Sequence, residues 1–188
     1  MNKLVILILL SIAFSSCDGR HRAYRSNEEV LKEANLFRSF SEVIKFIPQR
    51  NTKIITDTLL NNGFKVKLNY HSIESDFVIM TSKKGNDSII KKHFKNFEAQ
   101  FSTSFNNTII ANGIINKELF YNYTNRSFLD HAIMQYVWID YLASTQSSIQ
   151  LNTSFKIPET DKFKDFTLTI FNDGNIKIKE VKTKFNTI

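Results

Sequence analysis

Residues 64–70 read Phe-Lys-Val-Lys-Leu-Asn-Tyr, an unbroken alternation of apolar and polar side chains. Side chains repeat every two residues along a strand and every 3.6 along a helix. This segment can therefore bury a continuous face only as a strand in a sheet whose other face is wet. The same period returns near the C-terminus. Asp165–Phe171 alternates, Asn172-Asp173-Gly174-Asn175 supplies residues that tolerate a positive φ, and Ile176–Val181 alternates again, which predicts a hairpin. Further strands are predicted over 52–60, 76–82, 88–94 and 148–157, with Lys83-Lys84-Gly85-Asn86-Asp87 as the turn of another hairpin. Residues 108–123 hold one or two short strands broken at Asn112-Gly113, and residues 96–106 fit neither period.

Two segments read as helix. Ser26 and Glu29 form a capping box, and Val30, Ala34, Phe37, Phe40, Ile44 and Ile47 then recur at spacings of three and four. They predict a helix over about 27–46, closed by Pro48. Residues 126–144 are apolar nearly all round, from Phe128 and Leu129 through Ile133, Val137, Trp138 and Ile139 to Leu142. A buried helix fits them best, although periodicity alone leaves a strand open. The expected fold is one α+β domain over 27–188, mostly antiparallel β-sheet, with an N-terminal helix and one further buried helix. Seventeen Phe promise an aromatic core, or else an aromatic-lined cavity for an apolar ligand.

The N-terminus carries a separate signal. Lys3 precedes the apolar run Leu4–Phe14, which is shorter than the ~20 residues a spanning helix needs and suits the core of a secretory signal peptide. Phe14-Ser15-Ser16-Cys17 resembles a lipobox. That resemblance implies a lipoprotein signal peptide over 1–16, cleavage before Cys17, and a diacylglycerol on its thiol, with further acylation of the freed amine. Two or more acyl chains hold a protein stably at a membrane, whereas one holds it marginally. Residues 17–26 are then a polar tether, and the expected location is the cell envelope, lipid-anchored and either periplasmic or surface-exposed. Cys17 is the sole cysteine, which excludes a disulfide within the chain. The net charge of +7 comes from Lys and Arg that mostly alternate with apolar residues, as on the wet faces of strands. Export makes nucleic acid an unexpected partner.

The stretch Ser154-Phe155-Lys156-Ile157-Pro158-Glu159-Thr160-Asp161-Lys162-Phe163, followed by Phe166-Thr167-Leu168-Thr169-Ile170 and Gly174-Asn175-Ile176-Lys177-Ile178, is similar to the end of a family of uncharacterised lipoproteins of Bacteroidetes. In that family a strand, a Pro-x-Thr-Asp turn, a second strand and a Gly-containing hairpin follow one another. The segment 77–94, leading into His93-Phe94-Lys95, resembles the same proteins. The resemblance implies class and location; it implies no catalytic residue.

Catalytic chemistry is sparsely marked. His71 lies near Glu74, and Asp130 adjoins His131, the pairings a general base or a metal site would need. His-Glu-x-x-His, Gly-x-Ser-x-Gly and phosphate-loop patterns are absent, and no cofactor or metal is expected. Asp57-Thr58-Leu59 and Asp87-Ser88-Ile89 resemble acceptor sites for O-glycosylation of exported bacterial proteins, with Thr58 and Ser88 as acceptors. The sequence therefore favours a non-catalytic binding or interaction module whose partner is an envelope protein, a glycan, or a secreted toxin neutralised in the manner of an immunity protein. A carrier or sensor of an apolar ligand is the alternative, followed by a hydrolase using carboxylates or His131.

Overall fold

The computed structural model describes residues 25–36, 42–84 and 88–181. Strand accounts for 61% and helix for 11%, so the expected α+β architecture is corrected to a mostly β one built on two sheets. The chain divides into two compact units, Met1–Val43 with Lys83–Ile90, and Ile44–Ser82 with Lys91–Ile188. The predicted signal peptide, Cys17 and most of the tether lie outside the described residues.

In the smaller unit, helix α1 (Asn27–Glu33) opens with the predicted capping box. Glu29 N donates to Ser26 Oγ at 3.3 Å, and Ser26 N donates to Glu29 Oε2 at 3.0 Å. The helix ends at Ala34, and Asn35 follows in the left-handed region at φ 56°, a common stop for a helix. The helix predicted over 27–46 is therefore much shorter. Residues 37–41 lie outside the described residues, and Glu42–Ile47 forms strand β1, where β-branched Val43, Ile44 and Ile47 with Phe46 favour sheet over helix.

The first sheet contains β1, β2 (Lys53–Leu59), β3 (Phe64–Lys84), β4 (Ser88–Phe105) and β5 (Thr108–Ile115). Its order is β1-β4-β3-β2, with β5 also paired to β4. The predicted strands 64–70 and 76–82 are one long strand, and residues 96–105 continue β4. Asn106 and Asn107, both at positive φ, close the two-residue turn into β5. The break expected at Asn112-Gly113 is instead strand interior. Gly113 lies opposite Phe101, where an added Cβ would stand 3.0 Å from the ring, so glycine leaves room for the aromatic side chain.

A 3-10 turn (Glu118–Phe120) and helix α2 (Arg126–His131) connect to the second sheet, a meander of β6 (Ile133–Asp140), β7 (Ser148–Lys156), β8 (Phe163–Phe171) and β9 (Ile176–Val181). The predicted buried helix over 126–144 is thus corrected to a short capped helix followed by a strand. Ile133, Tyr136, Val137, Trp138 and Ile139 are β-branched or aromatic and suit a sheet. The C-terminal hairpin forms as predicted, pairing Ile170 with Ile176 and Asp165 with Val181.

The two sheets share one core within the larger unit. Phe64, Val66, Leu68 and Tyr70 of β3 join Phe97, Ala99 and Phe101 of β4, and they cluster with Met134, Ile149, Leu151, Phe155, Phe166, Leu168 and Ile170 of the second sheet. Alternate residues of β8 are buried, which leaves Asp165, Thr167, Thr169 and Phe171 on its outer face.

Candidate functional site

The paired groups suggested by the sequence do not assemble as expected. His71 Nε2 lies 3.2 Å from Glu98 Oε1, and its Nδ1 lies 3.3 Å from the carbonyl of Asn69. Both ring nitrogens thus face acceptors within the protein, and neither faces Glu74. Glu74 instead accepts from Asn51 Nδ2 at 2.6 Å, while Lys95 Nζ donates to Asn51 Oδ1 at 2.5 Å. His131 is exposed, and its Nδ1 lies 2.8 Å from the carbonyl of Ser127. Asp130, its neighbour on α2, is also exposed, and adjacent helical residues do not face each other. Among the described residues, no group of three or more His, Cys, Asp or Glu is placed to hold a metal ion.

Thr58 is half-buried on β2, opposite Val66. Ser88 is the first residue of β4. A recess of about 270 Å³ between β3, β4 and the 3-10 turn is lined by Asp76, Asn96, Glu98, Lys117, Glu118 and Tyr121. Burial lowers the Lys117 ammonium below the usual lysine range, and the carboxylates of Asp76 and Asp130 partly oppose the shift.

The most developed surface is the outer face of the second sheet, and it starts from a bulge in β6. The register of β6 against β7 shifts between Met134 and Tyr136, so Met134 stands opposite Phe155 and Tyr136 opposite Ser154. The extra residue, Gln135, reverses the alternation. Met134 points into the core, while Tyr136 and Trp138 both point outward, 49% and 42% exposed. Their rings meet edge to face at 4.9 Å. Three backbone carbonyls around the bulge are held by side chains. Tyr70 Oη on the facing sheet shares its one proton between Met134 O at 3.1 Å and Gln135 O at 2.9 Å, and Thr153 Oγ1 donates to Tyr136 O at 2.9 Å.

From the aromatic pair the outer face runs across the sheet in register. Trp138 lies opposite Asn152, Asn152 opposite Thr167, and Thr167 opposite Lys179. The next row runs Asp140, Gln150, Thr169, Lys177. Asn152 is fixed at the centre. Its Nδ2 donates to Asp140 Oδ2 at 3.0 Å, while its Oδ1 accepts from Thr167 Oγ1 at 3.0 Å and Gln150 Nε2 at 3.3 Å. A recess of about 800 Å³ lies over this face, lined by Gln150, Thr167, Thr169, Lys177 and Lys179 among others. The surface thus combines an exposed aromatic pair, a hydrogen-bonded patch of amides and hydroxyls, and two cations on the edge strand.

Sequence reasoning missed this face. Its one local mark is Tyr136-x-Trp138, two large rings at strand spacing, which the helical reading absorbed into an apolar run. Gln150 and Asn152 alternate with buried residues in the manner of any wet strand face.

Tyr70 links core to surface and can be tested directly. Replacing Tyr70 by Phe leaves the Met134 and Gln135 carbonyls without that donor and is expected to cost about 1–2 kcal/mol in unfolding free energy. Burial raises the Tyr70 phenol above its ordinary value. In alkali the unfolded chain therefore ionises at this position before the folded one does. The associated stability is fully present below about pH 10, the ordinary tyrosine value, and is lost as pH rises further. Denaturant melts from pH 9 to 11 should fall more steeply for the wild-type chain than for Tyr70→Phe, by at most ~1.4 kcal/mol per pH unit. Parallel curves would remove Tyr70 as the cause.

The fold defines the class, an antiparallel two-sheet β protein with an aromatic core. No protein-family model and no curated protein matches the chain.

Proposed function

We propose that this chain is a non-catalytic carbohydrate-binding module of the cell envelope, held to a membrane by lipid on Cys17 and binding a glycan chain across the outer face of its second sheet. The observation that carries the reading is the exposed Tyr136–Trp138 pair beside the hydrogen-bonded Asn152, Gln150 and Thr167. A pyranose ring offers an apolar C–H face and a rim of hydroxyls. It calls for an aromatic platform next to groups that both donate and accept hydrogen bonds. The centre of a stable protein interface would be larger and more apolar than this patch, whose rings give way at once to amides and hydroxyls. The lipobox-like Phe14-Ser15-Ser16-Cys17 supports the membrane half of the reading.

Trp138 is the sole tryptophan, so its emission reports on the site without labelling. Titration of the full chain with soluble polysaccharides is expected to shift that emission saturably. Trp138→Ala should weaken retardation in polysaccharide-containing native gels by about ten- to a hundredfold, equivalent to ~1.4–2.8 kcal/mol. Because the ring is half exposed, the thermal midpoint should hardly move. No retardation by any polysaccharide, or equal retardation of the variant, would reject the carbohydrate reading. Intact mass of the membrane-extracted protein tests the anchor: the full chain without an acyl mass at Cys17 would reject it.

A further inference from the structure

Resting on the carbohydrate reading of this face, we infer that the glycan is acidic, with its carboxylate or sulfate groups seated on Lys177 and Lys179 while an adjoining sugar unit lies on Trp138. The geometry is set by register. Trp138, Asn152, Thr167 and Lys179 occupy one row across four adjacent strands, and Asp140, Gln150, Thr169 and Lys177 occupy the next. With strands ~4.8 Å apart, the platform and the cations are separated by ~14 Å. That distance is a few sugar units, so one chain laid across the strands meets the ring at one end and the ammonium groups at the other.

The charges on this face are sorted along the same direction. Lys177 and Lys179 are exposed, line the recess, and have no ion pair among the described residues. Glu180, also at the recess, is engaged by Lys164 Nζ at 2.9 Å. Of the carboxylates on the face, Asp140 lies at the β6 end, where it accepts from Asn152 Nδ2 and from Ala143 N, each at 3.0 Å. Asp165 lies in the row of Tyr136 and Ser154, opposite Val181 rather than either lysine. Lys156, on the same side of β7, lies two rows beyond Trp138, opposite Ile133 and Phe163. Within the Trp138 and Asp140 rows the β9 end is therefore cationic and the β6 end aromatic and weakly acidic, which favours an acidic ligand with its charged part towards β9. Thr167 and Thr169 offer hydroxyls between the two ends.

The test compares each acidic polymer with its own neutral form, so that only charge changes. Polygalacturonate, alginate and hyaluronan are titrated against the full chain at low salt, each as the free acid and as the methyl ester, with Trp138 emission as the readout. At least one free acid is expected to bind about tenfold more tightly than its ester, a preference that shrinks as salt screens the lysines. The double variant Lys177→Met, Lys179→Met should bind acid and ester alike, at the affinity of the ester for the wild type. Equal binding of acid and ester by the wild type, or an acid preference that survives in the double variant, would overturn the inference while leaving the carbohydrate reading in place. If no polymer binds, both fall. Followed by native gel retardation, Trp138→Ala separates them further, since it should weaken acid and ester together.

Discussion

Phe166→Ala should lower the unfolding free energy by about 3–5 kcal/mol, the usual cost of emptying a fully buried aromatic site. Phe166 has no exposed surface and packs in a cluster with two other buried rings. Its centroid lies 4.5 Å from that of Phe120 and 5.9 Å from that of Phe155. Phe120 belongs to the 3-10 turn that links the sheets, and Phe155 to β7. The cavity would therefore open where three elements meet, and none can close it by moving alone. For a chain of this size the loss corresponds to a fall in thermal midpoint of roughly 10–15 °C, readable by far-UV circular dichroism. Leu142→Ala is the matched control. Leu142 is fully exposed, so its truncation should stay within about 0.5 kcal/mol of wild type. If the two variants melted together, the aromatic cluster would not be the centre of the core.

The elements legible in the sequence are those whose faces differ. Residues 64–70 and the hairpin over 165–181 bury one side and wet the other, so their period of two survives into the fold. The helix predicted over 27–46 fails for a local reason. Its spacing is helical by coincidence of Phe37, Phe40, Ile44 and Ile47, whereas Asn35 in the left-handed region ends α1 and the β-branched run after it enters a sheet. The segment 126–144 fails because of a bulge. It carries apolar residues on both faces because Tyr136 and Trp138 are turned outward by the Gln135 bulge, and a strand with rings on its wet face has no alternation left to read. The rest of the candidate site was hidden because it is made by pairing. Asn152, Thr167 and Lys179 are separated along the chain by two turns, and only the register of four strands sets them beside Trp138.

Gly174→Ala should cost about 2–4 kcal/mol although the residue lies in a turn, where substitutions are ordinarily mild. Two independent penalties add. Gly174 has φ 85°, a conformation that costs an L-residue roughly 1–2 kcal/mol. An added Cβ would also stand 2.5 Å from the carbonyl oxygen of Ile110, closer than real Cβ contacts come, and that atom is backbone of β5 and cannot rotate away. The turn between β8 and β9 is thereby pressed against the first sheet at a spot only hydrogen can occupy. Gly174 N also donates to Phe171 O at 2.9 Å, so relief by shifting the turn would disturb the start of β9, which carries Lys177 and Lys179. The variant is therefore expected to melt earlier, and also to lose part of the acid preference proposed for this face. Ala at Gly113 gives the contrast. There the obstacle is the Phe101 ring at 3.0 Å, a side chain rather than backbone, and the backbone is outside the left-handed region, so one of the two penalties is missing. Equal midpoints for the two variants would mean that the turn is not wedged against β5.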